Sequence, residues 1–253
     1  MDNTTVFSTR GESYDRARPG YPETLIDYLY TDQHFSEASA IADIGSGTGK
    51  FSQQLLSRGS RVFCVEPNEE MRRIAERKLN HYPGFISVNG TASFTGIKEK
   101  IEAVTAAQAF HWFDRNAFRE ECRRLLRPGG KVFLIWNYRL PDDEVTNASW
   151  EVFQRYCPNF PGFNTRMKED DPRIYEFFDG HCEKAEFDNP LCFDEPLFIE
   201  RYLSSSYSLK KEDAGYDACL EEIRRLFRQF SRDGKIMILN KAVCYSGNVY
   251  SCF

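Results

Sequence analysis

The chain has 253 residues, 41% hydrophobic and 28% charged, with a formal net charge of −5. That length suits one sizeable α/β domain with an insertion, and the acidic balance argues against a nucleic-acid partner, which needs a basic face. Eight cysteines without a C-x-x-C pair argue against a zinc or dithiol motif, and no apolar run approaches the roughly 18 residues of a membrane helix.

The first residues, MDNTTVFSTRGE, carry no apolar signal region, so a cytoplasmic setting with reduced thiols is the expectation. Helical spacing of Leu25, Ile26 and Leu29 predicts a helix over 23–30, followed by a short apolar strand, AIADIG. A helix over 49–59 stops at glycine, and RVFCVEP reads as the second strand. Asn68 caps the next predicted helix, 68–80, whose first turn is acidic. GFISVNG is a third strand and IEAVTAAQAF holds a fourth. The helix RNAFREECRRLLRPGG closes on Pro-Gly-Gly before the fifth strand, KVFLIWN. Strands separated by helices of this length predict right-handed crossovers and a parallel sheet. Residues 138–200 break the pattern with Pro, Asp, Asn and Phe and are expected to form a cap inserted within one domain. An amphipathic helix over 217–231 follows. Residues 235–247 then read as strands about a turn-like Asn240-Lys241, a C-terminal antiparallel hairpin on the sheet. The basic runs RRLLR and IRRLFRQFSR read as solvated helix faces.

The stretch IADIGSGTGKFS puts three glycines directly after the first strand. Such a turn presents backbone N–H groups at a helix start, and missing Cβ atoms allow a ligand close approach. A P-loop needs four residues between its glycines and a Ser or Thr after Lys; here three separate Gly45 from Gly49, and Phe51 follows Lys50. The dinucleotide fingerprint G-x-G-x-x-G fails at Lys50, which leaves only a relaxed NAD site open. The pattern D-x-G-x-G-x-G fits as it stands, through Asp43, Gly45, Gly47 and Gly49. Glu66 ends the next strand, where a carboxylate can accept both hydroxyls of a ribose.

These segments, with YDRARPGYP, VEPNEEM, AAQAFHWFD and LLRPGGKVFLIWN, occur in an order that resembles the class I S-adenosylmethionine-dependent methyltransferases. Within that class the likeness is to the methyltransferase type 11 and trans-aconitate methyltransferase-like enzymes. It spans roughly residues 14–137, with a weaker echo in RYLSSSYSL. The resemblance implies a Rossmann-like, doubly wound, mostly parallel seven-stranded sheet, and S-adenosylmethionine as the cofactor. It places Asp43, Gly45, Gly47 and Gly49 along the amino-acid part of the cofactor and Glu66 at the ribose. Asn68 and Met71 would border the adenine, with Thr91, Ala92 and Ser93 standing where an acidic residue is usual. Gln108 would face the methionine end, and Tyr14 and Arg18 would belong to an N-terminal lid. His111, Trp112 and Tyr207 are expected on the acceptor side, with His111 the candidate general base, since imidazole exchanges protons near neutrality. The implied acceptor is a small molecule with a carboxylate, O or N nucleophile; no metal, membrane or nucleic acid is expected. A non-catalytic S-adenosylmethionine-binding protein and an NAD-dependent oxidoreductase are the alternative readings.

Overall fold

The computed structural model describes residues 20–205 and 207–250. Helix α1 (Glu23–Thr31) leads into β1 (Ala40–Ile44), α2 (Lys50–Ser57), β2 (Arg61–Val65), α3 (Glu69–Leu79) and β3 (Phe85–Val88). Strand β4 (Ile101–Ala107), α4 (Arg115–Leu125) and β5 (Leu126–Arg139) complete the alternating half. After α5 (Glu144–Tyr156) and α6 (Pro172–Phe177) come β6 (Cys182–Asp188), β7 (Leu191–Phe193), α7 (Glu195–Leu203) and α8 (Tyr216–Phe230). Strands β8 (Ile236–Ile238) and β9 (Asn240–Gly247) end the described chain.

Seven strands form one sheet in the order β3-β2-β1-β4-β5-β9-β6. The pairs from β3 through β5 are parallel, and β9 runs antiparallel to both β5 and β6. All five residues of β1 are buried, as a strand covered on both faces requires. Alternation sends Val132, Leu134 and Trp136 to one face of β5 and Phe133 and Ile135 to the other. The first face packs against Phe118, Cys122 and Leu125 of α4 and against Ile174 and Phe177 of α6. The second packs against α1 and α2 through Leu25, Ile26, Leu29, Leu55 and Leu56. Sequence order reverses between β1 and β4, so the flanking helices lie on opposite faces there and leave a crevice at the carboxyl ends of the strands.

The antiparallel element expected at the C-terminal end is β9 with β6 and β5. The Ile236–Ile238 arm departs from the sheet and pairs with β7 in a separate two-stranded ribbon. That ribbon belongs to a second apolar cluster with Val152 and Phe153 of α5, Phe198 and Tyr202 of α7, and Ile223 and Phe227 of α8. The stretch 138–200, expected to form the cap, is therefore divided. Its α6 and β6 return to the main sheet and its core, while α8 and β8, from beyond residue 200, join the cap cluster. Strand β6 escapes a hydrophobic reading because it is an edge strand, CEKAEFD, charged and only partly buried on both faces. The cap leaves and rejoins the body at adjacent points. Leu140 N–H donates to Leu239 O at 3.1 Å, and the Asp143 side chain accepts from Leu239 N–H at 3.0 Å while capping α5 through Thr146 N–H at 2.7 Å.

Candidate active site

A cavity of about 800 Å³ lies between the carboxyl edge of the sheet and the cap. Its floor is the loop after β1. Gly45 N–H and Ser46 N–H both donate to Val65 O, at 2.8 and 3.1 Å, which ties the loop to β2. Gly45, Gly47 and Gly49 all have positive φ, at 71°, 57° and 77°, but their bareness serves three different ends. A Cβ on Gly45 would stand 2.7 Å from Ala109 Cβ and 3.2 Å from Phe113, so this glycine lets the β1 and β4 loops touch. A Cβ on Gly49 would strike Leu79 and come within 3.3 Å of Ala75, so that glycine lets α2 start against α3. Gly49 is not among the residues that line the cavity, although Thr48 and Lys50 on either side of it are. Nothing lies within 4 Å of a Cβ on Gly47, which does line the cavity.

Asp43 also reaches the cavity wall, but its carboxylate is committed to the scaffold. It is 1% exposed; Oδ2 accepts from Ser52 Oγ at 2.5 Å and Oδ1 from Thr105 Oγ1 at 2.9 Å. Burial pushes its pKa up to about 6, against the pull of those two hydroxyls. Asp43 thus fastens α2 and β4 around the glycine loop rather than offering itself to a ligand.

Glu66 stands at the end of β2 on the cavity wall. Its Oε2 accepts from Gly47 N–H at 2.9 Å and its Oε1 from Asn68 N–H at 2.8 Å. Burial raises its pKa, and the amides of Asn68 and Gly47 hold the charge in part. Asn68 Oδ1 caps α3 by accepting from Met71 N–H at 2.9 Å. Asn68 and Met71 line the same wall, as do Thr91, Ala92 and Ser93 from the loop after β3. Away from the cavity lining, buried Glu121 of α4 ties that loop down by accepting from Thr95 N–H at 2.7 Å and Thr95 Oγ1 at 2.6 Å. Its position three residues before Arg124 gave no sign of this in the sequence.

After β4, Gln108 sits at φ 58° and its N–H donates to Ile135 O at 2.8 Å. A single 3-10 turn, Phe110–Trp112, then brings His111 and Trp112 to the cavity with ring centroids 5.1 Å apart. Tyr207 lines the opposite side, its ring 4.9 Å from that of Phe160. Tyr14 and Arg18 lie outside the described residues. Sequence reasoning passed over the cap-side wall, where Arg139, Phe163, Arg166, Arg201 and Lys210 stand. Arg166 lies 4.2 Å from the Trp112 ring centroid and so spans from cap to sheet edge. The segment carrying it is fastened just downstream. Tyr138 OH donates to Lys168 O at 3.2 Å, and Lys184 and Lys241 both reach Glu169 Oε1, at 2.8 and 2.7 Å.

Among the described residues no group of His, Cys, Asp and Glu side chains is arranged to hold a metal ion. No helix among them is long and apolar enough to cross a membrane.

A reversing α/β sheet with a bare glycine loop, a facing carboxylate on the next strand and a capped crevice defines a Rossmann-like nucleoside-cofactor-binding protein. Residues 42–134 match the methyltransferase domain family, Methyltransf_11. An uncharacterized methyltransferase-like protein of Schizosaccharomyces pombe is 32% identical over 95% of this chain and 94% of its own length. The chain belongs to the S-adenosylmethionine-dependent methyltransferases, whose cofactor is S-adenosylmethionine. An uncharacterized methyltransferase of Mycobacterium tuberculosis is 36% identical over 139 residues, 54% of this chain and about half, 54%, of that relative's length. Among solved structures, one from Anaeromyxobacter dehalogenans superposes with a TM-score of 0.69 at 22% identity, covering 93% of this chain and 99% of that one. A Geobacter sulfurreducens methyltransferase in complex with S-adenosyl-L-homocysteine gives a TM-score of 0.52 at 14% identity, covering 95% and 96%. At those identities the solved structures speak for the fold.

Proposed function

We propose that the protein transfers a methyl group from S-adenosylmethionine to a small-molecule acceptor held between the sheet edge and the cap, within a single methyltransferase domain. The observation that carries this reading is the pairing of Gly47 with Glu66 across the loop: space where a Cβ would stand, beside a carboxylate already gathered at the cavity wall. Those features fit the cofactor. The Glu66 carboxylate accepts the ribose hydroxyls, Gly45 and Gly47 admit the amino-acid portion, and Met71 with residues 91–93 borders the adenine. When bound, S-adenosylmethionine supplies a methyl group on a positively charged sulfur, and its transfer leaves a neutral thioether.

The chain's own task is alignment and exclusion of water. The cap closes the crevice opposite the glycine loop, and Arg166 over Trp112 joins the two walls. His111 is in place to take a proton from an acceptor that has one to release. An acceptor that arrives ionised makes no such demand, and His111 then serves as part of the wall.

Two measurements test the reading. Glu66→Ala is expected to weaken S-adenosylhomocysteine binding by roughly 1–3 kcal/mol, the scale of lost hydrogen bonds to a charged group. Unchanged affinity in the folded variant, read by calorimetric titration, would remove Glu66 from the cofactor site. Incubation of the protein with methyl-labelled S-adenosylmethionine and a metabolite extract is expected to label a small molecule. Binding of the cofactor with no acceptor labelled in any extract would favour a non-catalytic binding protein. In the same assay His111→Ala is expected to lose transfer while its affinity for S-adenosylhomocysteine stays within about twofold, the behaviour of a group that touches only the acceptor. Full transfer by that variant would strip His111 of a proton-accepting role.

A further inference from the structure

Residues 157–171 join α5 to α6, and residues 161–167 among them line the cavity. This strap is held at its two ends by different forces. At the cap end the tie is aromatic: the Phe160 ring centroid lies 5.1 Å from Trp150 and 5.4 Å from Phe153, and that of Phe163 lies 5.8 and 6.0 Å from the same rings. At the sheet end the tie is ionic. Glu169 Oε1 accepts from Lys184 Nζ of β6 at 2.8 Å and from Lys241 Nζ of β9 at 2.7 Å. Glu169 itself is not among the cavity-lining residues. Resting on the reading that methyl transfer takes place in this cavity, we propose that Glu169 is a positioning residue: by docking on Lys184 and Lys241 it seats the strap and brings Arg166 over Trp112.

The dock belongs to the sheet. Both lysines also reach Glu186 of β6, Lys184 at Oε1, 2.8 Å, and Lys241 at Oε2, 2.7 Å. Glu186 thus gathers the two ammonium groups on the strands, and Glu169 is the carboxylate that the strap adds to them. Burial works against the charge on both lysines, but hydrogen bonds to Glu169 and Glu186 outweigh it and raise both pKa values. Isolated surface ion pairs fix little, whereas a half-buried network that shares two lysines between two carboxylates holds one geometry. Register sets its place: Lys184 stands opposite Tyr245 and Glu186 opposite Val243, and both partners belong to the core face of Val132 and Trp136. The chain then bends at Asp170, φ 56°, whose N–H donates to Tyr245 OH at 2.9 Å and whose Oδ1 accepts from Tyr175 OH at 2.7 Å.

Only three residues carry the strap from Arg166 to Glu169, at most about 11 Å of chain, so a shift at the dock is felt at the cavity. An arginine gives up much rotamer freedom when it closes on a ring, and a backbone already fixed lowers that cost. Trp112 adjoins His111 on the 3-10 turn, so the contact completes the wall beside the candidate base and helps to exclude water there. Buried Met167 and the Lys168 carbonyl tie the same stretch independently, so loss of the Glu169 charge loosens the strap without unfolding it.

The test uses the full chain and reads Trp112, one of three tryptophans. Acrylamide quenching of each chain, less that of its Trp112→Phe counterpart, isolates the Trp112 indole. Its quenching constant is expected to rise about two-fold or more in Glu169→Gln, the mark of local opening. Tm is expected to stay within about 4 °C of the parent and S-adenosylhomocysteine affinity within about two-fold. Arg166→Gln is expected to raise the constant as much, and the double variant no further, because the two side chains act in series. Labelling of a metabolite extract by methyl-labelled S-adenosylmethionine is expected to fall about ten-fold in Glu169→Gln. Glu169→Asp, which keeps the charge on a shorter stem, is expected to regain part of the shielding and of the labelling, and guards against loss of folding in the glutamine variant. Trp112 shielding untouched in Glu169→Gln, additive effects of the two substitutions, or full labelling by Glu169→Gln would each overturn the proposal. The two readings fail separately. Shielding lost in Glu169→Gln when even the parent labels no acceptor defeats the methyltransferase reading and leaves the seat of the strap standing; shielding untouched in a chain whose parent labels an acceptor defeats only the seat.

Discussion

Gly47→Val is expected to abolish S-adenosylhomocysteine binding, a loss of a hundred-fold or more, in a chain that still folds. The space around that position dictates both halves of the result. An added Cβ meets nothing within 4 Å, so no neighbour has to move for the variant to fold. What the valine occupies is the cavity itself, beside the amide that donates to Glu66 at 2.9 Å. The φ of 57° is costly for a β-branched residue, on the order of 1–2 kcal/mol. In a domain of this size that lowers Tm by roughly 2–8 °C. Gly45→Val is the contrasting variant. Its Cβ would press on Ala109 Cβ at 2.7 Å and on Phe113, both packed in place, so the damage falls on folding before binding is at issue. Thermal unfolding and calorimetric titration of the pair separate the roles. Binding within ten-fold of the parent in Gly47→Val would mean that the loop does not cradle the cofactor.

That contrast bears on what a sequence can reveal. Spacing identified the three glycines as one motif, because a strand followed by bare positions and a helix is a local pattern with a local cause. It could not divide the motif into a packing glycine against β4, an open glycine at the cavity and a packing glycine against α3. The division depends on Ala109, Phe113 and Leu79, which are distant in sequence and brought near only by the sheet order. Glu66 was legible for the same reason as the glycines: it ends an apolar strand at a position where parallel sheets expose their carboxyl edge. Arg139 was not. An arginine at a strand end has no periodicity to betray it, and its aromatic partners come from residues 163 and 202. The cap followed the same logic. Its amphipathic helix α8 was readable by itself, but which segments packed with it was decided by β6, whose alternating charges suit an edge strand and gave no apolar signal. Long-range pairing is where local reading ends.

Asp43 supplies the second large effect, on stability and not on binding. In the unfolded chain its carboxyl titrates at the ordinary 3.8; in the fold, burial pushes it up to about 6, with the nearby charge of Glu66 acting in the same direction. Between those values the folded chain holds a proton that the unfolded chain has released. The contribution of this group to stability is therefore complete below about pH 4, declines as the pH rises and is gone above about pH 6. Two units of displacement correspond to about 3 kcal/mol. Asp43→Asn has no proton to lose there and still offers one acceptor and one donor group to the hydroxyls of Ser52 and Thr105, which can rotate to suit. The unfolding free energy of the parent minus that of the variant, measured in urea at steps from pH 4 to pH 7, is expected to fall by about 3 kcal/mol across the series. A constant difference would show that Asp43 ionises in the fold as it does in water. The fall would mean that at neutral pH the chain keeps a charge it would be more stable without. The reason lies in what the ionised group does: with no proton of its own, it accepts from Ser52 on α2 and Thr105 on β4 together, and so ties the end of β1, where the glycine loop begins, to both elements.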